Sequence, residues 1–147
     1  MISYNFFMSD IKKIAFIYPS MSGKQGKDAL TPLIFAIVKP ITPKNYEIVF
    51  YDERIEKLPD NIDSEIVVLS VETFSAKRAY LLADKYKKES KIVIMGGFHP
   101  TICPNEALEH SNAIVLGEIE NIWQKILNDI QNNNLQKIYK EEELVDL

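Results

Sequence analysis

Ile92-Val93-Ile94-Met95-Gly96-Gly97-Phe98-His99-Pro100-Thr101 is the stretch on which the fold turns. Its first four residues are an uninterrupted apolar run that stops at two glycines, the pattern of a strand buried on both faces and released into a loop. Upstream, Phe74 to Glu89 carries Ala76, Ala79, Tyr80, Ala83 and Tyr86 at helical spacing and feeds this strand. Before that helix, Glu65 to Val71 is a second buried run, and Tyr46 to Tyr51 alternates as a third strand does. The link from Asp52 to Ser64 is too short, and too broken by Pro59, for a full helix. Lys13 to Tyr18, ended by Pro19, opens the series, and Ala29 to Val38 follows it as a helix with Pro32 in its first turn and Pro40 and Pro43 ending it. Downstream come a short helix over Asn105 to His110, a strand over Ala113 to Leu116, a helix from Glu118 to about Gln131, and a weak extended piece from Leu135 to Tyr139.

Strands and helices taking turns predict an α/β fold with a mostly parallel five-stranded sheet covered on both faces. The 147 residues suffice for one unaided core, assigned to residues 13–134, with an N-terminal extension (1–12) and a C-terminal connecting segment (135–147). A net charge of -4 leaves no electrostatic footprint for nucleic acid or an anionic membrane. The single cysteine, Cys103, excludes an internal disulfide framework, and it also excludes an iron–sulfur cluster, which takes about four sulfur ligands. No apolar run approaches the roughly 20 residues that span a bilayer, and the first ten residues lack signal-peptide order, so a cytoplasmic protein is expected.

In sheets of this kind ligands bind beyond the carboxyl ends of the strands, near the point where strand order reverses. The informative loops are therefore Pro19-Ser20-Met21-Ser22-Gly23, Asp52-Glu53-Arg54, Glu72-Thr73, Gly96 to Thr101, and Gly117-Glu118. Small and polar residues dominate them, and glycine lets a backbone approach a ligand closely. Simpler readings stand beside this one. Gly96-Gly97 also suits a tight strand exit, His99 lacks a second ligand at metal spacing, and Cys103 lacks an evident base. Asp52 and Glu53 are candidate catalytic carboxylates, but acids at a strand end are usually solvated, and that is the reading expected here. The Walker spacing is absent, since Gly23-Lys24 is followed by Gln25, and no Gly-x-Gly-x-x-Gly turn follows the first strand. No metal site is assigned.

Taken in order, these segments resemble the amino-terminal cobalamin-binding domain that precedes the radical S-adenosylmethionine domain in cobalamin-dependent radical enzymes. The resemblance runs from Lys13 to about Tyr139. It rests on Tyr18-Pro19, Thr31-Pro32-Leu33, Tyr51-Asp52, and above all Met95 to Thr101 with Pro104-Asn105-Glu106-Ala107-Leu108. Asn112 to Glu120, followed by Trp123, resembles the family's fifth strand and last helix. The resemblance implies a three-layer Rossmann/flavodoxin-like domain that lays a corrin ring across the carboxyl end of the sheet and takes its nucleotide tail into a slot between strands. On that reading Ser20 and Ser22 line the corrin face or slot, Glu72 and Thr73 lie under the ring, Gly96 and Gly97 give the tail room, and Gly117 with Glu118 closes the slot. Met21, Phe98 and His99 share those loops and are assigned to the same cofactor site.

Two departures qualify what the resemblance implies. Cobalamin domains of the mutase and methionine synthase type carry Asp-x-His-x-x-Gly after the second strand, the histidine being the lower cobalt ligand. Here the residues are Asp52-Glu53-Arg54-Ile55-Glu56-Lys57, with arginine in the histidine position. A cobalt without a histidine ligand from this loop is therefore expected, a state suited to methyl transfer. The family's Cys-x-x-x-Cys-x-x-Cys loop is also missing, so cluster and S-adenosylmethionine chemistry belong to another domain or a partner. Three readings stay open: a cobalamin module of a radical methyltransferase or related enzyme, a flavin- or phosphate-binding flavodoxin-like module, and a degenerate cobalamin-type domain used for protein contact.

Overall fold

The apolar runs become strands of one parallel sheet in the computed structural model, which describes residues 12–26 and 29–141. Strands β1 (Lys12–Tyr18), β2 (Tyr46–Asp52), β3 (Ile66–Ser70), β4 (Ile92–Gly96), β5 (Ala113–Leu116) and β6 (Ile138–Lys140) lie in the order β2-β1-β3-β4-β5-β6. Helices α1 (Leu33–Ile41), α2 (Ala76–Lys88), α3 (Phe98–Ile102), α4 (Pro104–His110) and α5 (Trp123–Gln131) occupy the connections. This is a three-layer Rossmann/flavodoxin-like α/β fold. β1 is hydrogen-bonded to both β2 and β3, with Ile14 opposite Ile48 and Ile66, so strand order reverses at β1.

Successive strand residues point to opposite faces, and both faces are apolar because both are covered. Ile14, Phe16, Val68, Ile94 and Val115 pack under α1 and α5 against Phe35, Val38, Trp123 and Ile126. Ala15, Ile17, Leu69, Val93 and Met95 pack under α2 and α4 against Ala79, Ala83, Tyr86 and Ala107. The indole Nε1 of buried Trp123 donates to Thr42 Oγ1 at 3.0 Å, and Thr42 Oγ1 donates to Val38 O at 2.8 Å. One hydroxyl thus joins the end of α1 to the start of α5.

Several boundaries differ from expectation. α1 begins at Leu33, after Pro32 in an extended conformation, and it runs through Pro40 to Ile41. Pro40 sits in the last turn, where its missing N–H removes a single bond and Thr42 supplies a side-chain donor. α2 is preceded by a 3-10 turn over Thr73–Ser75, and α5 starts at Trp123 after a turn closed by Ile122 N donating to Ile119 O. α3 stands where the sequence predicts loop, because five residues containing Pro100 show no helical period.

The sheet has six strands among the described residues, not five. β6 lies within the segment read as a connector and pairs in parallel with β5, Tyr139 opposite Val115. Its one buried side chain explains the weak signal: Tyr139 is 2% exposed while its neighbours face solvent. The Tyr139 hydroxyl donates to Asp129 Oδ2 at 2.7 Å and accepts from Gln136 N at 2.9 Å. Of the expected N-terminal extension only Lys12 is described, and it belongs to β1; residues 1–11 and 142–147 lie outside the described residues.

Tyr139→Ala should lower the unfolding free energy by about 3–5 kcal/mol in urea denaturation, and Ile138→Ala should change it little. Equal, small effects would mean that β6 is not part of the cooperative unit. A second expectation concerns alkaline pH. Burial, as the largest cause, pushes the phenols of Tyr80, Tyr86 and Tyr139 up to about 12. The folded chain therefore keeps protons that the unfolded chain has lost, so stability is intact below pH about 10 and falls as pH rises from about 10 to 12. Melting temperature followed across that range should drop less steeply in Tyr86→Phe than in the parent chain.

Candidate functional site

A cavity of about 390 Å³ opens at the carboxyl ends of the central strands, on the side of the sheet that carries α1 and α5. β1, β3 and β4 give Phe16, Val68, Leu69, Ser70 and Gly96; α1 gives Ile34; the loops after β3, β4 and β5 give Glu72, Gly97, Gly117, Glu118 and Ile119; α3 gives Phe98 and Thr101. The volume falls in the range of small-molecule sites, roughly 300–1,000 Å³. Its charged lining groups are two carboxylates, Glu72 and Glu118, with no lysine or arginine.

Gly97 sets the wall. Its φ is +102°, and a Cβ there would meet Val71 O at 2.8 Å and Val71 N at 2.9 Å. The close approach is held by two backbone bonds, Val71 N to Gly96 O at 2.8 Å and His99 N to Val71 O at 3.0 Å. Gly96 differs: its Cβ would meet only Val115 Cβ at 3.6 Å, an ordinary contact, so a larger side chain there is directed into the cavity. Thr101 bridges the glycine loops, its Oγ1 donating to Gly97 O at 2.9 Å and accepting from Gly117 N at 3.1 Å.

Six of the eleven expected site residues therefore meet in one cavity: Glu72, Gly96, Gly97, Phe98, Gly117 and Glu118. The loop after β1 goes elsewhere. Ser20 and Met21 line a separate shallow concavity with Lys24, Arg54 and Phe74, and exposed Ser22 lines neither. Ser20 is occupied structurally, since its N donates to Glu53 Oε2 at 3.0 Å and its Oγ accepts from Gly23 N at 2.7 Å. Thr73 is exposed and lies outside the cavity, and His99 is buried on the far side of α3. Ser70, Thr101, Ile34 and Ile119 line the cavity without having been singled out; only Thr101 carried a sequence signal, as the end of the Gly-Gly-x-His-Pro-Thr block.

The acids at the end of β2 are buried rather than solvated, and neither lines the cavity. Glu53 is 1% exposed and paired with Arg78, whose Nη2 lies 2.5 Å from Glu53 Oε1. Asp52 is also buried and takes both ends of Arg54, Nε at 2.9 Å and Nη2 at 2.8 Å. Arg54 Nη2 donates further to Leu30 O at 2.7 Å, and its guanidinium stacks 4.4 Å from the Tyr18 ring centroid. The residue in the histidine position is thus a fixed, always protonated cation that cannot ligate a metal.

A band of exposed apolar side chains surrounds the carboxyl end of the sheet: Met21, Leu30, Leu33, Phe74, Phe98 and Ile102, each more than half exposed. All lie in or beside the loops that follow β1, β3 and β4. An apolar face next to a cavity is the usual mark of a binding surface.

The chain is 33% identical over 111 residues to bacteriochlorophyllide d C-12(1)-methyltransferase of Chlorobaculum tepidum, a match covering 74% of this chain and 24% of that protein. It is 32% identical over 120 residues to bacteriochlorophyllide d C-8(2)-methyltransferase of the same organism, covering 81% of this chain and 27% of that protein. The chain thus spans about a quarter of the length of these curated relatives, which are methyltransferases. No family model matches the chain, and no solved structure matches it. No helix among the described residues is long and apolar enough to cross a membrane.

The two glycines should respond differently to the same change. Gly97→Ala forces a side chain against Val71 at positive φ and should cost about 3 kcal/mol or more, while Gly96→Ala should stay within about 1 kcal/mol. Chemical denaturation of both variants measures the difference, and equal costs would show that the Gly97–Val71 approach does not constrain the wall.

Proposed function

We propose that this chain is the corrinoid-binding module of a methyltransferase, holding cobalamin with its nucleotide tail in the cavity and its ring on the apolar face beside it. The observation that carries the reading is the cavity itself. It lies at the carboxyl ends of the strands, has glycine at Gly96 and Gly97, and includes exposed Phe98 in its lining, with exposed Met21, Leu33 and Phe74 in or beside the loops that follow β1 and β3. Similarity to methyltransferases over most of this chain supports the same reading, as does the sequence resemblance carried by Met95 to Thr101.

The residues present fit the cofactor on chemical grounds. A side chain at Gly96 would occupy the cavity, so its absence leaves room for a ligand. The lining is apolar apart from Ser70, Thr101 and two carboxylates, which suits a neutral heteroaromatic base better than a free phosphate. Ser70 and Thr101 offer hydroxyls to such a base, Ile34 and Ile119 exclude water from it, and Phe98 and Phe74 offer apolar surface to a macrocycle. When bound, cobalamin supplies a carrier for the methyl group. Arg54, locked by Asp52, supplies no ligand to the metal, so the chain holds the cofactor through shape and apolar contact. The iron–sulfur cluster and S-adenosylmethionine belong, on this proposal, to another domain or a partner subunit.

Titration of the chain with hydroxocobalamin, followed by absorbance and calorimetry, tests the reading. Saturable one-to-one binding is expected, retained by Gly96→Ala and lost in Gly96→Phe with unchanged circular dichroism. Gly96→Phe is a better block than a Gly97 variant, whose side chain would strike backbone. Absence of binding at high micromolar cofactor by the folded chain would sink the proposal and leave protein contact as the use of the apolar face. In the cobalt(II) form, electron paramagnetic resonance should show no splitting from a protein histidine; such splitting would overturn the assignment of Arg54.

A further inference from the structure

α3 has two sides. Phe98 and Thr101 line the cavity, whereas His99 turns toward α2 on the other face of the sheet. On that far side the geometry points to a second site: we propose that His99, Cys103 and Glu106 bind a divalent d-block cation of the zinc class. One imidazole nitrogen, the Cys103 sulfur and a Glu106 carboxylate oxygen all lie within 4.8 Å of one another. This site is independent of the corrinoid reading.

The backbone brings the three together. α3 ends and α4 begins at Cys103, whose φ of -126° and ψ of 59° break the helix, while Cys103 N donates to His99 O at 2.8 Å and Ala107 N to Cys103 O at 3.2 Å. Across this junction the side chains of His99, Cys103 and Glu106 converge. His99 is buried, Cys103 half-buried and Glu106 exposed, so the site is rooted in the core and open to solvent at one edge. The Tyr80 hydroxyl, 3.0 Å from His99 Nε2 and also facing Glu106 and Cys103, borders the cluster on the side of α2.

The donor set selects the ion. Thiolate and imidazole favour zinc, and the hard cations calcium and magnesium take oxygen ligands instead. Bonds of about 2.0–2.3 Å in a tetrahedral site put ligand atoms roughly 3.3–3.8 Å apart, so closure from separations within 4.8 Å takes a contraction of at most about 1–1.5 Å. Rotation of exposed Glu106 and half-buried Cys103 supplies it. Metal on one nitrogen of His99 leaves the other facing a hydroxyl, since Nε2 lies 3.0 Å from Tyr80 Oη and Nδ1 lies 3.4 Å from Thr73 Oγ1. Such an outer partner orients zinc-bound imidazole. Binding releases the thiol proton to solvent, and no oxidant or reductant is needed. Because α3 also carries Phe98 and Thr101, the ion would clamp the back of the cavity wall.

A neighbouring histidine bounds the assignment. His110 stacks on Tyr80, with ring centroids 4.3 Å apart, and its Nδ1 is engaged by Asp84 Oδ1 at 2.9 Å, so it lies outside the proposed ligand set.

Cobalt(II) chloride and zinc chloride, added to the chain without any corrinoid, test the proposal. One equivalent of cobalt(II) should produce a near-ultraviolet thiolate charge-transfer band with the strong visible bands of a four-coordinate site, and zinc should displace it. Cys103→Ser should lose the near-ultraviolet band, and Glu106→Gln should weaken affinity about tenfold or more. His110→Gln should leave the spectrum unchanged. His99→Gln is read only beside circular dichroism, since His99 is buried. Weak six-coordinate absorption in the folded chain, a charge-transfer band that survives Cys103→Ser, or a band lost in His110→Gln would each overturn the site.

Discussion

The carbonyl and amide of Val71 lie where a Cβ on residue 97 would have to be, and much of the site follows from that approach. Gly97 at positive φ lets the exit of β4 bond back to the exit of β3, which starts α3 directly at Phe98. Once α3 is placed, Thr101 reaches both glycine loops and completes a wall, while His99 is driven to the opposite side against Tyr80. A pair of glycines that in sequence could have been only a strand exit thus determines which side chains face the cavity and which face α2.

The loop after β2 shows how neighbouring residues of like charge acquire their partners. Glu53 and Asp52 are both buried, and each is neutralised by one arginine: Arg78 from α2 for the first, Arg54 two residues on for the second. A buried carboxylate without such a partner would be strongly disfavoured. Glu53 then organises the loop after β1 through Ser20 and Gly23, so the first loop is tied down by a charge pair that spans two other elements. Both acids are held in these pairs and Ser20 is held by Glu53 and Gly23, whereas Ser22 of the same loop stays exposed.

Much of the fold was legible in residue order. Four strands with several buried residues, such as Ile66–Ser70 and Ile92–Gly96, announce themselves by continuous apolar runs, and α2 by its alanine and tyrosine spacing. The sixth strand did not, because three residues with one buried side chain carry no period. α3 did not either, because a five-residue helix is decided by the bonds at its ends. In the site, the glycines and Glu118 could be placed from their positions after strands. Ser20 could not, since its partner Glu53 is 33 residues away.

What the sequence alone determined is therefore the layering: alternating apolar runs and amphipathic segments leave a covered parallel sheet as the way to bury both faces, and that puts the loops at one end. The tertiary structure decided the partners. Arg78 meets Glu53, Tyr80 meets His99, and Cys103 comes beside Glu106 and His99, because side chains on different elements acquire distances only when those elements pack. Periodicity reports which face of an element is buried; it holds no record of which charge or donor waits on the element packed against it.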